Sequence, residues 1–121
     1  MPVRKVLVVD DSPTDLSNIR NILSDAGVTV VSAGSGKEGV AKANTENPDL
    51  IFMDIVMSDM DGYEACRELN MNDTTKSIPV VFVSSKTQKA DKLWAQMQGG
   101  KAYVTKPYTA DQMIDQLKAF A

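Results

Sequence analysis

Five short apolar runs, each followed by an amphipathic stretch, limit what this chain can fold into more than any other feature. The runs are Val6-Leu7-Val8-Val9, Val28-Thr29-Val30-Val31-Ser32, Leu50-Ile51-Phe52-Met53, Val80-Val81-Phe82-Val83 and Ala102-Tyr103-Val104. All are short and mostly β-branched or aromatic, which favours strands over buried helices. The stretches between them carry helical signals. Ser12-Pro13 opens the first, a hydroxyl cap followed by proline at the first helical position. Leu16, Ile19, Ile22 and Leu23 then recur at helical spacing, and Gly27 is placed to stop the helix. Ser35 to Asn44 carries Val40, Ala41 and Ala43 and ends before Asn47-Pro48. Gly62 to Met71 puts Ala65 and Leu69 on one side. Ala90 to Gln98 carries Leu93, Trp94 and Met97 and is stopped by Gly99-Gly100. The last helix opens at Thr109 or Asp111, with Met113, Ile114, Leu117 and Phe120 as its stripe.

Strict βα alternation predicts a parallel sheet with helices on both faces, joined by right-handed crossovers. With five strands, the expected α/β fold is a flavodoxin-like (βα)5 in strand order 2-1-3-4-5. The 121 residues suit one domain spanning 1–121, with nothing left for a second.

Charge and residue usage narrow the function classes. Thirteen Lys plus Arg against sixteen Asp plus Glu give a net charge of −3, which argues against binding nucleic acid through a basic face. The chain has no His, so Ser-His-Asp triads, His general bases and the usual zinc sites are excluded. A lone Cys66 cannot form an internal disulfide and reads as a small packing residue. No apolar stretch approaches the about 18 residues a bilayer span needs. No signal peptide is seen, so a cytoplasmic protein that avoids membranes is expected.

The run Asp49-Leu50-Ile51-Phe52-Met53-Asp54 delivers one carboxylate to the carboxyl end of its strand, the edge where open α/β sheets place their ligands. Alone, Asp54 reads as an ordinary acid starting a turn. Other strands bring chemistry to the same rim: Asp10-Asp11 after the first, Ser84-Ser85 after the fourth, and Lys106-Pro107 after the fifth. Adjacent acids repel each other and suit a hard cation such as Mg2+, which takes carboxylate, water and phosphate oxygens. Lys106 and the Ser84 hydroxyl suit phosphoryl oxygens, and Asp54 suits an attacking carboxylate that forms an acyl phosphate. Each piece is common by itself. Their joint placement on one rim is specific.

These motifs resemble the receiver domains of two-component response regulators, the CheY-like family. The matching stretches are Val8-Val9-Asp10-Asp11-Ser12, Met53-Asp54-Ile55-Val56-Met57 running into Met60-Asp61-Gly62, Val83-Ser84-Ser85, and Tyr103-Val104-Thr105-Lys106-Pro107. The resemblance implies that Asp54 accepts the phosphoryl group. It implies that Asp11, Asp54 and the backbone carbonyl of Val56 ligate Mg2+, with Asp10 as a second acidic position. It further implies that Lys106 binds the phosphoryl group and is joined to Pro107 by a cis bond, that Ser84 is the switch hydroxyl, and that Tyr103 is the aromatic that follows it. Without the resemblance, Tyr103 would be an ordinary half-buried strand tyrosine. The partner implied is a histidine kinase or His phosphotransfer domain. The expected protein is a monomeric signalling switch with no output domain, which catalyses only its own phosphorylation and dephosphorylation. Asp11-Ser12-Pro13-Thr14 and the segment with Lys86, Gln88, Asp91-Lys92, Trp94 and Gln98-Gly99 are similar to PilH-type receivers of twitching motility and chemotaxis-like systems.

Two departures from the family pattern stand out. Ser58 replaces a common proline, which is expected to loosen the loop after Asp54. Gly99-Gly100-Lys101-Ala102 replaces a Gly-Ala-Asp-Asp run and changes the charge near a partner surface. Three other readings compete with a phosphorylation switch. An aspartyl phosphatase would carry its acids two apart after the first strand and would have a cap insertion. A flavin carrier would have a Ser-, Thr- and Gly-rich first loop. A pseudo-receiver would lack part of the acid–lysine set. A phosphate sink for another receiver remains an alternative within the leading reading.

Overall fold

The five apolar runs form strands and the five amphipathic stretches form helices, in strict alternation. The computed structural model describes residues 2–121. The order is β1 (Lys5–Val9), α1 (Pro13–Asp25), β2 (Thr29–Ala33), α2 (Gly36–Glu46), β3 (Leu50–Met53), α3 (Gly62–Met71), β4 (Val80–Ser84), α4 (Lys89–Met97), β5 (Ala102–Thr105) and α5 (Ala110–Ala119). The strands make one sheet in the order β2-β1-β3-β4-β5, and every adjacent pair is parallel. The flavodoxin-like (βα)5 expected from the alternation is the observed fold.

The period-2 alternation of side chains splits the core in two. Leu7, Val9, Ile51, Met53 and Phe82 point to one face, against Ala43 of α2, Ala65, Cys66 and Leu69 of α3, and Ala95 of α4. Val6, Val8, Leu50, Phe52, Val81 and Val83 point to the other, against Ile19 and Leu23 of α1 and Met113 of α5. β1, β3 and β4 are covered on both faces, which is why their sequences are near-continuous apolar runs. Each large aliphatic or aromatic side chain buried this way contributes about 1.5–3 kcal/mol.

Caps fix where the helices begin and end. Ser12, Ser35, Asp61 and Thr109 each accept a backbone N–H with the side chain at the N-cap. At the other end, Gly27 and Gly99 take φ of 89° and 102°, a region that penalises side chains. Around Gly27, its own N–H reaches the Ser24 carbonyl and Val28 N–H the Leu23 carbonyl; around Gly99, the matching bonds run to Gln96 and Ala95. Both ends are Schellman motifs.

The first of these motifs moves β2 one residue on from the expected Val28 start, because Val28 N–H is still committed to the α1 carbonyl. In α2, Ala41 faces outward, and the helix packs through Gly36, Gly39 and Ala43. In α4 the apolar spacing does not mark the side that meets the sheet. Leu93, Trp94 and Met97 are 56%, 45% and 65% exposed, while the small Ala95 is buried against the sheet. Their helical spacing is real, but the stripe faces solvent. Tyr63 meets Trp94 edge-on from α3, at 6.4 Å between ring centroids. Cys66 is fully buried, and burial pushes its thiol up to about 11, which fits a packing role.

Candidate functional site

The sheet order places the ends of β1 and β3 side by side, with Val9 in register with Met53. The residues that follow, Asp10 and Asp54, therefore leave the sheet as neighbours. Asp54 N–H still bonds the Val9 carbonyl at 2.9 Å, so the backbone stays paired to the point where its carboxylate emerges. Carboxylate oxygens of Asp10, Asp11 and Asp54 lie within 4.8 Å of one another. Asp10 is buried and Asp11 exposed, with Asp54 between them in burial.

Asp10 is aimed by local structure: its Oδ1 accepts the Ser12 N–H at 2.9 Å. Asp54 Oδ1 accepts the Ile55 N–H at 2.8 Å, which holds the side chain against its own backbone. Lys106 enters from the end of β5. Its Nζ lies 2.9 Å from Asp15 Oδ2, 3.2 Å from Asp10 Oδ2 and 3.7 Å from Asp54 Oδ1. The peptide bond from Lys106 to Pro107 is cis, as the resemblance implies.

The charges perturb one another strongly. Burial pushes the Asp54 carboxyl up to about 6, and the nearby charge of Asp10 adds to the rise, while Lys106 and the Ile55 N–H oppose it. Burial by itself would lower the Lys106 ammonium, but Asp15, Asp54 and Asp10 outweigh it and hold Lys106 above the ordinary lysine value. Three acids thus share one ammonium, and Asp54 remains under-compensated. A cluster of hard oxygen donors with surplus negative charge has the chemistry that a small divalent cation such as Mg2+ requires.

Ser84 ends β4 beside Thr105 of β5, and Lys106 N–H bonds the Ser84 carbonyl at 2.9 Å. The Ser84 side chain is buried, and its Oγ accepts the Lys86 N–H at 3.2 Å. Tyr103 is half-buried, and its hydroxyl donates to the Lys86 carbonyl at 2.7 Å. One residue, Lys86, is therefore held through its N–H by Ser84 and through its carbonyl by Tyr103. Val56 is 61% exposed at the mouth of the rim.

Two acids important to this geometry escaped the sequence reading. Asp15 makes the shortest Lys106 ion pair; its place one turn into α1, just after the Asp10-Asp11 edge, was the available signal. Asp59 accepts the Gly36 and Lys37 N–H groups, each at 3.1 Å, and so fastens the loop after Asp54 to the start of α2. Slight desolvation pushes the Asp59 carboxyl up, but the N–H groups of Lys37, Met60 and Gly36 hold it below the usual carboxylate value. The loosening expected from Ser58 is countered by this clamp, and Gly62 N–H closes the same loop onto the Ile55 carbonyl at 2.8 Å.

Comparison with known proteins agrees with this arrangement. The family model described as the response regulator receiver domain matches residues 6–118. The chain is 39% identical to protein PilH of Pseudomonas aeruginosa over 115 residues, covering 95% of both chains. It is 36% identical to protein PilG of the same organism, covering 95% of this chain and 85% of PilG. Its fold superimposes on chemotaxis protein CheY4 of Vibrio cholerae with a TM-score of 0.92 and 28% identity, covering 98% of this chain and 99% of CheY4. In strand order, in the acids and lysine gathered at one sheet edge, and in a match that runs over nearly its whole length, this chain belongs to the response regulator receiver domains and has the CheY-like fold.

Proposed function

We propose that this protein is a phosphorylation switch that takes a phosphoryl group from phosphohistidine onto Asp54, with Mg2+ held by Asp11, Asp54 and the Val56 carbonyl, and Asp10 as the second acid. The observation that carries this reading is the convergence of three carboxylates within 4.8 Å, with a lysine ammonium drawn among them. In the transfer, an Asp54 carboxylate oxygen bonds to phosphorus as the P–N bond breaks, and the imidazole leaves with the bonding pair. Asp54 must be ionised to attack; with its carboxyl near 6, the carboxylate predominates at neutral pH. Lys106 offers its ammonium to the phosphoryl oxygens. When bound, Mg2+ supplies positive charge against the charge gathering on the transferred group.

The switch reading rests on the Lys86 linkage. Movement of the Ser84 hydroxyl towards a phosphoryl group on Asp54 gives up its bond to Lys86 N–H and loosens the loop that Tyr103 holds from the other side. Phosphorylation then biases a two-state equilibrium of the β4–α4 loop. The rim is open, with Asp11 and Val56 exposed, which suits a donor histidine presented by another protein. A histidine kinase or His phosphotransfer domain fits that role. The similarity to PilH and PilG supports pilus or chemotaxis-type signalling as the setting.

Incubation with a small phosphodonor and Mg2+ tests the site. Intact mass is expected to show one added phosphate that withstands acid and is released by hydroxylamine. Asp54→Asn is expected to lose it, and equal uptake by that variant would reject Asp54 as acceptor.

A further inference from the structure

Asp15 has no part in the proposed phosphoryl site, yet it makes the closest ion pair to Lys106: 2.9 Å, against 3.2 Å to Asp10 and 3.7 Å to Asp54. Its backbone is fixed in the first turn of α1, where its N–H bonds the Ser12 cap. Its side chain is 39% exposed, whereas those of Asp10 and Asp54 are 1% and 11% exposed. The ammonium is therefore pulled two ways, inward by Asp10 and Asp54 and outward by Asp15. On the outward side lies a cleft of about 330 Å³ lined by Asp15, Asn18, Ser85, Lys106, Pro107 and Tyr108. The lysine has both a partner and room there.

We propose that Asp15 is a positioning residue that holds the Lys106 ammonium at the outer edge of the carboxylate cluster and gives it a partner to turn to, so that the oxygens of Asp10, Asp11 and Asp54 can be released to a divalent cation. This rests on the Mg2+ reading given above. A lysine ammonium and Mg2+ seek the same carboxylate oxygens and repel each other, so each weakens the other's hold on the cluster. With Asp15 present, the ammonium can lean outward when the metal enters and keep an ion pair. Without it, the partners left to Lys106 are Asp10 and Asp54, and metal entry must break those pairs with no replacement. Asp15 also attracts a cation directly through space. That plain charge effect does not pass through Lys106, and the two can be separated.

Calorimetric titration with Mg2+ alone at neutral pH, on the wild-type chain and its variants, makes the separation. Asp15→Asn is expected to weaken Mg2+ binding about fivefold, and Asp15→Glu, which keeps the charge and still reaches Lys106, to stay within about twofold of wild type. In a Lys106→Met background, Asp15→Asn is expected to change the affinity by less than about twofold. Unchanged binding in Asp15→Asn would overturn the proposal. So would an equal loss in both backgrounds, which would mark a through-space effect, or a loss in Asp15→Glu as large as in Asp15→Asn. A wild-type chain that takes up no Mg2+ would instead sink the metal reading itself, and this inference with it.

Discussion

At the end of β3 the chain passes from fully buried Met53 to a carboxylate that shares its surroundings with Asp10. Burial and like charge lift the folded Asp54 carboxyl from 3.8 to about 6. Because the folded state binds the proton more tightly than the unfolded chain, stability falls as pH rises from about 4 to about 6. The cost of the charge is absent below that window and fully present above it. Asp54→Asn carries no such charge and is expected to be more stable than wild type at neutral pH by roughly 1–3 kcal/mol. The gain should fade towards pH of about 4, where wild-type Asp54 is protonated. Urea unfolding at the two pH values measures it; an Asn variant no more stable at neutral pH would mean that Lys106 offsets the whole burial cost.

Among the elements, α4 shows most clearly how spacing and burial diverge. It approaches the sheet through Ala95, and its bulkier Leu93, Trp94 and Met97 stand off the core. Leu93→Ser is therefore expected to cost less than about 0.5 kcal/mol in urea unfolding, as surface changes do, while Ala95→Asp is expected to cost more than about 3 kcal/mol by burying an unpaired charge. Comparable losses in both would mean that Leu93 is packed as a core residue. The start of α3 is tighter still. A Cβ at Gly62 would collide with the Asp54 carbonyl, so Gly62→Ala must displace either the helix or the loop after Asp54. Its expected signature is a lowered urea midpoint together with weaker Mg2+ uptake; a variant that keeps both would show that the loop yields freely.

For the whole molecule, parallel topology is what turns scattered residues into a site. All five strands point the same way, so residues far apart in sequence emerge at one edge, and Lys106 reaches Asp10 across 96 positions. Folding thereby concentrates negative charge in one place, and a cation bound there is linked to global stability. Mg2+ at about 100 times its Kd is expected to stabilise the protein by about 2.7 kcal/mol at neutral pH. Addition of a chelator should reverse the gain, and acidification below about pH 5 should weaken it, since the Asp54 carboxyl, lifted to about 6, is then mostly protonated and no longer offers the ion its charge. A midpoint insensitive to Mg2+ at neutral pH would contradict the metal reading.

Much of this was legible in the chain alone. Near-continuous apolar runs and capped helices are local signals, so they state the fold class, the strand order by its most common solution, and the acids, hydroxyl and lysine at strand ends. Asp10, Asp11, Ser84 and Lys106 are assigned to one edge by the sequence because a parallel sheet puts every strand's carboxyl end there. Tertiary structure alone decided the rest. Which side of α4 meets the sheet is set by packing between elements, with Ala95 buried in the core and Trp94 left 45% exposed. The tie from Asp59 to α2, and the choice of Asp15 as the nearest partner of Lys106, depended on distances between elements. Spacing along a chain records which residues share a face; only packing decides what that face meets.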